Sequence, residues 1–116
     1  MASFQDLAAW QACQRPAIEV YRTTKRFPRD ERYGLTAQVR RASVSVVANI
    51  AEGSAKRGPK EFRRYLDISL GSLSEVTSLL LLARALGFLE EEETRAIEPI
   101  RKRAAFLLWR LYRSMS

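Results

Sequence analysis

Apolar and polar positions along this chain recur at three- and four-residue intervals, and no stretch alternates in the two-residue rhythm of a strand. From about Asp6 to Arg26, Leu7, Trp10, Ala17, Tyr21 and Thr24 share one face of a first helix. Pro16 lies inside it and predicts a bend, because proline removes a backbone donor and crowds the preceding turn. Phe27-Pro28-Arg29-Asp30 reads as a turn, since the residue before a proline is pushed out of the helical region. A second helix runs from Glu31 to Gly53, regular from Gly34 or Leu35 onward, and Gly53 is expected to close it in a left-handed conformation. After a loop at Ser54 to Arg57, Gly58-Pro59 opens a third helix with Glu61 in its first turn; Gly87 ends it. Glu90 to Glu93 supply the negative charge favoured at the start of a fourth helix, along which Ile97, Ile100, Ala104, Leu107 and Leu111 form a stripe. Pro99 predicts a kink or a broken first turn there. Short links between long helices make neighbours antiparallel. The expected fold is therefore all-α: an antiparallel, up-down-up-down four-helix bundle occupying residues 1–116 as one domain.

Helices two and three carry more apolar surface than such a bundle can bury. Ala42 to Ala51 holds no charge, and Tyr65 to Ala83 holds only Asp67 and Glu75. On helix two, Leu35, Val39, Ala42, Val46 and Ile50 make one stripe, while Val44, Val47 and Ala51 make a second, well separated from it. The second stripe predicts a homo-oligomer assembled through helices two and three. Between the apolar stripes, Gln38, Arg41, Ser45, Asn49 and Glu52 on helix two, and Ser69, Ser72 and Glu75 on helix three, predict a buried polar network joining the two helices.

Composition narrows the chemistry. The 116 residues contain no histidine, which removes imidazole bases, Ser-His-Asp and Cys-His nucleophile systems and His-ligated zinc. A lone cysteine, Cys13, can make neither an internal disulfide nor a thiolate metal site, and reads as a small buried hydrophobe. A carboxylate metal site from Glu52, Asp67 and Glu75 lacks the Glu-x-x-His motif of di-iron bundles. Gly53 to Lys60 imitates a phosphate-binding loop, but Pro59 holds the lysine position and no Ser or Thr follows. No catalytic residue, metal or cofactor is expected, and the protein is read as not an enzyme. The opening Met1 to Asp6 has no basic, then apolar, signal pattern. The longest apolar run, Leu79 to Leu89, is broken by Arg84 and is shorter than a membrane span of about 20 residues. A cytoplasmic protein without membrane association is expected.

Twenty Lys and Arg against thirteen Asp and Glu give a net charge of +7, which favours polyanionic partners. Lys56, Arg57, Lys60, Arg63 and Arg64 crowd the turn between helices two and three, and the bundle topology brings Arg110 and Arg113 to the same end. Such a cluster suits phosphates, and nothing in the chain resembles a base-reading motif, so RNA or DNA would be bound by shape and charge. Tyr65, Trp109 and Tyr112 are candidates to stack on bases. At the other end, Arg22, Lys25, Arg26, Arg29 and Arg32 are partly offset by Asp30, Glu31 and Glu90 to Glu93.

The stretch Leu35-Thr-Ala-Gln-Val-Arg-Arg-Ala-Ser-Val-Ser-Val-Val-Ala-Asn-Ile-Ala-Glu-Gly53 closely resembles the signature of a bacterial family of four-helix-bundle proteins. These are encoded by intervening sequences within large-subunit (23S) ribosomal RNA genes. Gln38, Arg40, Arg41, Ala42, Ser45, Asn49, Ile50, Ala51, Glu52 and Gly53 match it, with Val46 in place of the usual isoleucine. The likeness continues through Glu61-Phe62, Tyr65-Leu66, Ile68 to Glu75 and Leu86-Gly-Phe88, and covers nearly the whole chain. Pro16 and Pro99 depart from it, in segments where the family shows uninterrupted helix. The resemblance implies a ring-shaped homopentamer. It also implies kinship with accessory bundle proteins of diversity-generating retroelements, which bind nucleic acid and a reverse transcriptase. Two function classes follow: a nucleic-acid-binding oligomer, and a scaffold for another protein such as a reverse transcriptase.

Overall fold

The computed structural model describes residues 3–115. Four helices, α1 (Ala8–Thr24), α2 (Leu35–Ser54), α3 (Gly58–Ala85) and α4 (Glu91–Ser114), are joined by short links, with single 3-10 turns at Phe4–Asp6 and Arg29–Glu31. Each helix packs on its two neighbours in a closed ring, α1–α2–α3–α4, and among the described residues no Cα atoms of the diagonal pairs approach within 8 Å. Contacting residues run in opposite senses across the pairs: Ser45 meets Ser72, Ser69 meets Val46, and Cys13 meets Ala104. The bundle is thus the expected antiparallel one, with dimensions of 44 × 26 × 20 Å.

Local chemistry sets the helix ends. Glu31 accepts from the Leu35 amide at 3.0 Å, supplying a partner to the otherwise bare start of α2. Glu90 and Glu93 form a reciprocal capping box at the start of α4. At the end of α3, Gly87 takes φ +81° while the Phe88 amide bonds the Ala83 carbonyl and the Gly87 amide bonds that of Arg84. This paired closure satisfies two orphan carbonyls and needs the left-handed residue that glycine provides.

Gly53 departs from expectation. It is buried inside α2, among the residues without positive φ, and a Cβ added there would lie 2.7 Å from the Tyr65 Cβ and 3.0 Å from the Phe62 ring. Its role is close approach of α2 to the first turns of α3, not termination. Both prolines lie within unbroken helices: α1 runs through Pro16, as expected, and α4 keeps its first turn ahead of Pro99. Pro99 and Arg95, whose carbonyl loses its helical donor, are both exposed, so water can replace that donor.

The core has two clusters, one towards each end. Val20, Val39, Val76, Leu80, Leu89 and Ile97 centre the first, near the α1–α2 and α3–α4 links. Cys13, Ile50, Leu66, Leu73, Ala104 and Leu108 centre the second, near the α2–α3 link. The predicted α2 stripe of Leu35, Val39, Ala42, Val46 and Ile50 is buried throughout. On α4 the buried residues are Ile97, Ala104 and Leu108, with Ile100, Leu107 and Leu111 half-buried, so the stripe sits slightly rotated from expectation. On α1, Ala9, Cys13, Pro16 and Val20 fill the core, and Tyr21, expected inside, is exposed.

Although the run Leu79 to Leu89 is short, α3 as a whole is long and apolar enough to cross a membrane by length and composition. One face of it lies in the core through Leu66, Leu73, Val76 and Leu80; Ile68, Leu81, Leu82 and Leu86 are exposed.

A candidate nucleic-acid interface at the α2–α3 end

The basic cluster predicted at the α2–α3 link is assembled on the second core cluster. Three residues separate α2 from α3, and Gly58 makes the turn with φ +82°. Lys56, Arg57 and Lys60 are all exposed on this turn. Arg63 lies half-buried over the Tyr112 ring of α4, its guanidinium carbon 4.5 Å from the ring centroid and its Nε enclosed without a hydrogen-bond acceptor. That contact brings the start of α3 to the end of α4, as the topology requires.

Arg64 and Lys56 flank the Tyr65 ring at 4.6 and 5.4 Å. Such stacking holds cations without neutralising them, so the positive charge remains available to an anion. Arg64 also pairs with Glu61 at 3.3 Å, which pushes its guanidinium above its ordinary value, first by hydrogen bonding and then by charge. Among the described residues, Lys56, Arg57, Lys60, Arg63, Arg110 and Arg113 make no ion pair. Lys60, Arg63, Arg64 and Tyr112 border an open hollow on this end, together with Glu61 and Asp67.

Arg110 does not join that hollow. It lies over Phe106 at 5.6 Å and borders a second depression with Leu7, Ala8 and Leu111, on the α1 side of α4. Arg113 is exposed nearby on the same helix. The predicted set therefore forms a band around the end of the bundle, not one compact patch. Within the band, Trp109 is 48% exposed and stacks on Tyr112 with centroids 5.4 Å apart. Phe106, 58% exposed, was not expected here. Counting helical turns from the buried Ala104 and Leu108 places it on the opposite face, which is the signal that could have found it.

The predicted buried polar network is corrected to a smaller one. Ser45 and Ser72 share a hydrogen bond of 2.8 Å, Asn49 donates to the Ser45 hydroxyl at 3.0 Å and carbonyl at 2.8 Å, and Ser69 donates to the Val46 carbonyl at 2.7 Å. Gln38, Arg41, Glu52 and Glu75 are exposed instead. Short hydroxyls can bridge two closely packed helices, whereas burying the three charged groups without partners would cost far more than it returns. Glu52, Asp67 and Glu75 do not converge either; no cluster of three or more His, Cys, Asp or Glu is present among the described residues. Cys13 is buried, and burial pushes its thiol up to about 12.

The proposed interface stripe on α2 is uneven. Val44 is exposed, Ala51 is half-exposed, and Val47 is partly used in the second core cluster.

No curated protein matches this chain. The family described as 23S rRNA-intervening sequence protein matches it over residues 5–109, from the first 3-10 turn to Trp109 on α4. With a four-helix bundle and nearly the whole length matched, the chain belongs to the 23S rRNA-intervening sequence protein family.

Proposed function

We propose that this protein is a non-enzymatic, self-associating bundle, pentameric by its resemblance, that binds RNA or DNA backbone through its α2–α3 end. The observation that carries the reading is the band of cations there, almost none neutralised and several laid on aromatic faces. Phosphates gain from each such cation by releasing counterions, and the exposed faces of Trp109 and Phe106 offer sites where unpaired bases can stack. The absence of any histidine from the chain supports a binding role over a catalytic one.

Self-association is supported by the outer face of α3. Ile68, Leu82 and Leu86 are exposed there, and Gly71 sits mid-helix on the same face with open space where a Cβ would be. A glycine in that place costs about 1 kcal/mol of helix stability relative to alanine, a cost offset when another helix approaches closely.

Neutralising Lys56, Arg57 and Lys60 together to Gln tests the nucleic-acid reading. Fluorescence anisotropy with structured RNA should show weaker binding, with the light-scattering mass unchanged. The salt slope should fall by about one for each phosphate that the variant no longer neutralises. Unchanged affinity with an intact assembly would refute the reading. The same apolar α3 face supports a second reading, a scaffold that docks a protein such as a reverse transcriptase. That reading predicts partner capture abolished by Leu82→Lys and retained in the neutralised variant.

A further inference from the structure

The opposite end of the bundle holds a second basic site of different construction. An open hollow of about 350 Å³ lies beside the α1–α2 link, walled by Lys25, Arg29, Arg32 and Arg40 with Thr24 and Thr36. No carboxylate lines it. Of the acids expected to offset this charge, Glu31 caps α2, Glu93 serves the α4 capping box and pairs with Arg26, and Asp30 is exposed outside the lining of the hollow. Among the described residues, none of the four cations of the hollow makes an ion pair.

Arg40 is held in place by neutral groups. Its Nε donates to the Thr24 hydroxyl at 2.7 Å, and that buried hydroxyl donates in turn to the Val20 carbonyl at 2.7 Å. Its Nη2 reaches the Tyr21 carbonyl at 3.4 Å, and the guanidinium lies 4.8 Å from the centroid of the Tyr21 ring. Nη1 takes no hydrogen bond among the described residues. A half-buried arginine, fixed on one edge and lacking a counter-charge, is already arranged for the two-point hydrogen bonding that phosphate oxygens accept. Lys25, Arg29 and Arg32, all exposed, add charge around the rim.

We propose that this hollow is a phosphate-binding site that takes clustered phosphate groups, with Arg40 as the oriented anchor and Lys25, Arg29 and Arg32 as the surrounding charge. The phosphates come either from a free polyphosphate or from a nucleic-acid backbone, and the chemistry of recognition is the same. This site stands apart from the α2–α3 end and does not depend on the reading given for it.

Two arms of one experiment separate the sources. Calorimetry with inorganic tripolyphosphate at physiological salt, on the full chain, should show one site per chain. Arg40→Lys should weaken it about tenfold or more, because an ammonium cannot reproduce the oriented fork. Since Arg40 also contacts Thr24, the exposed pair Arg29→Gln and Arg32→Gln serves as a second variant that spares the packing, and it should weaken binding by a similar factor. Loss of tripolyphosphate binding in both variants supports the site with a free polyphosphate as ligand. If tripolyphosphate does not bind but both variants lower RNA affinity while Lys56, Arg57 and Lys60 are intact, the site is supported with the nucleic-acid backbone as ligand. Should neither ligand distinguish the variants from the wild type, the proposal is overturned.

Discussion

At the α2–α3 end, Lys56, Arg57, Lys60 and Arg63 stand unpaired and Glu61 alone engages a cation, Arg64. At the opposite end, ion pairs take up Arg22, Arg26, Arg84 and Arg95, and carboxylates are further committed to helix starts. The first end keeps its cations in place by stacking them on aromatic rings, whereas the second commits acids to four of its cations and leaves four around one hollow. Counting charges along the chain does not distinguish these arrangements. What matters is where each acid is employed, and at the second end capping claims Glu31, Glu90 and Glu93 while Asp30 stays exposed beside Arg29.

The comparison rests on one folded body with two core clusters, and the largest perturbation tests that. Leu108→Ala, fully buried in the second cluster, should cost about 2–5 kcal/mol in urea unfolding. Ile97→Val in the first cluster should cost about 0.5–1.5 kcal/mol. Both should move a single shared transition seen by circular dichroism and by tryptophan fluorescence; separate transitions would mean that the two ends fold independently.

Gly53→Ala comes next. Its new methyl group meets the Tyr65 Cβ, and overpacking of that kind should cost about 1–3 kcal/mol while displacing the basic turn. Gly71→Ala meets nothing within the chain, so it should raise the stability of the isolated chain by roughly 0.5–1 kcal/mol and weaken self-association measured by light scattering.

Cys13 gives a pH test of the second cluster. With the folded thiol held up to about 12, the unfolded chain loses its proton first as pH rises. Above the unfolded thiol's value, stability should therefore fall by about 1.4 kcal/mol per pH unit more in the wild type than in Cys13→Ala. Disulfide-exchange reagents should modify Cys13 only on unfolding.

The smallest effect belongs to Glu98 on α4, whose carboxyl is lowered first by its hydrogen bond to Arg101. Its contribution is present above the unfolded carboxyl's range and lost as pH falls through the lowered folded value. Glu98→Gln should reduce that acid-side change by about 0.3–0.5 kcal/mol, in keeping with a solvated pair on one helix.

Much of the fold was legible because α2 and α3 repeat their apolar residues so regularly: Leu35 through Ile50 needed only helical periodicity to be placed inside. Gly53 was misread because a glycine that ends a helix and one that admits a neighbour look alike in sequence; the distance to Tyr65 distinguishes them. The polar stripe failed at Gln38, Arg41, Glu52 and Glu75, because spacing identifies a boundary between faces but not whether a side chain there turns inward or stays hydrated. Of the basic site, Lys56 to Arg64 could be read directly as a cluster. Arg40 could not, since its significance comes from Thr24 and Tyr21 on another helix and from the employment of Glu31 at the start of α2.

The most direct test of the central claim is salt-dependent anisotropy of the wild-type chain with structured RNA, duplex DNA and single-stranded DNA. A nucleic-acid-binding end predicts affinity that persists near physiological salt, a steep linear fall of log affinity with log salt, and a preference for ligands offering unpaired bases to Trp109 and Phe106. Binding that disappears as salt approaches physiological levels, equally for all three ligands, would contradict it.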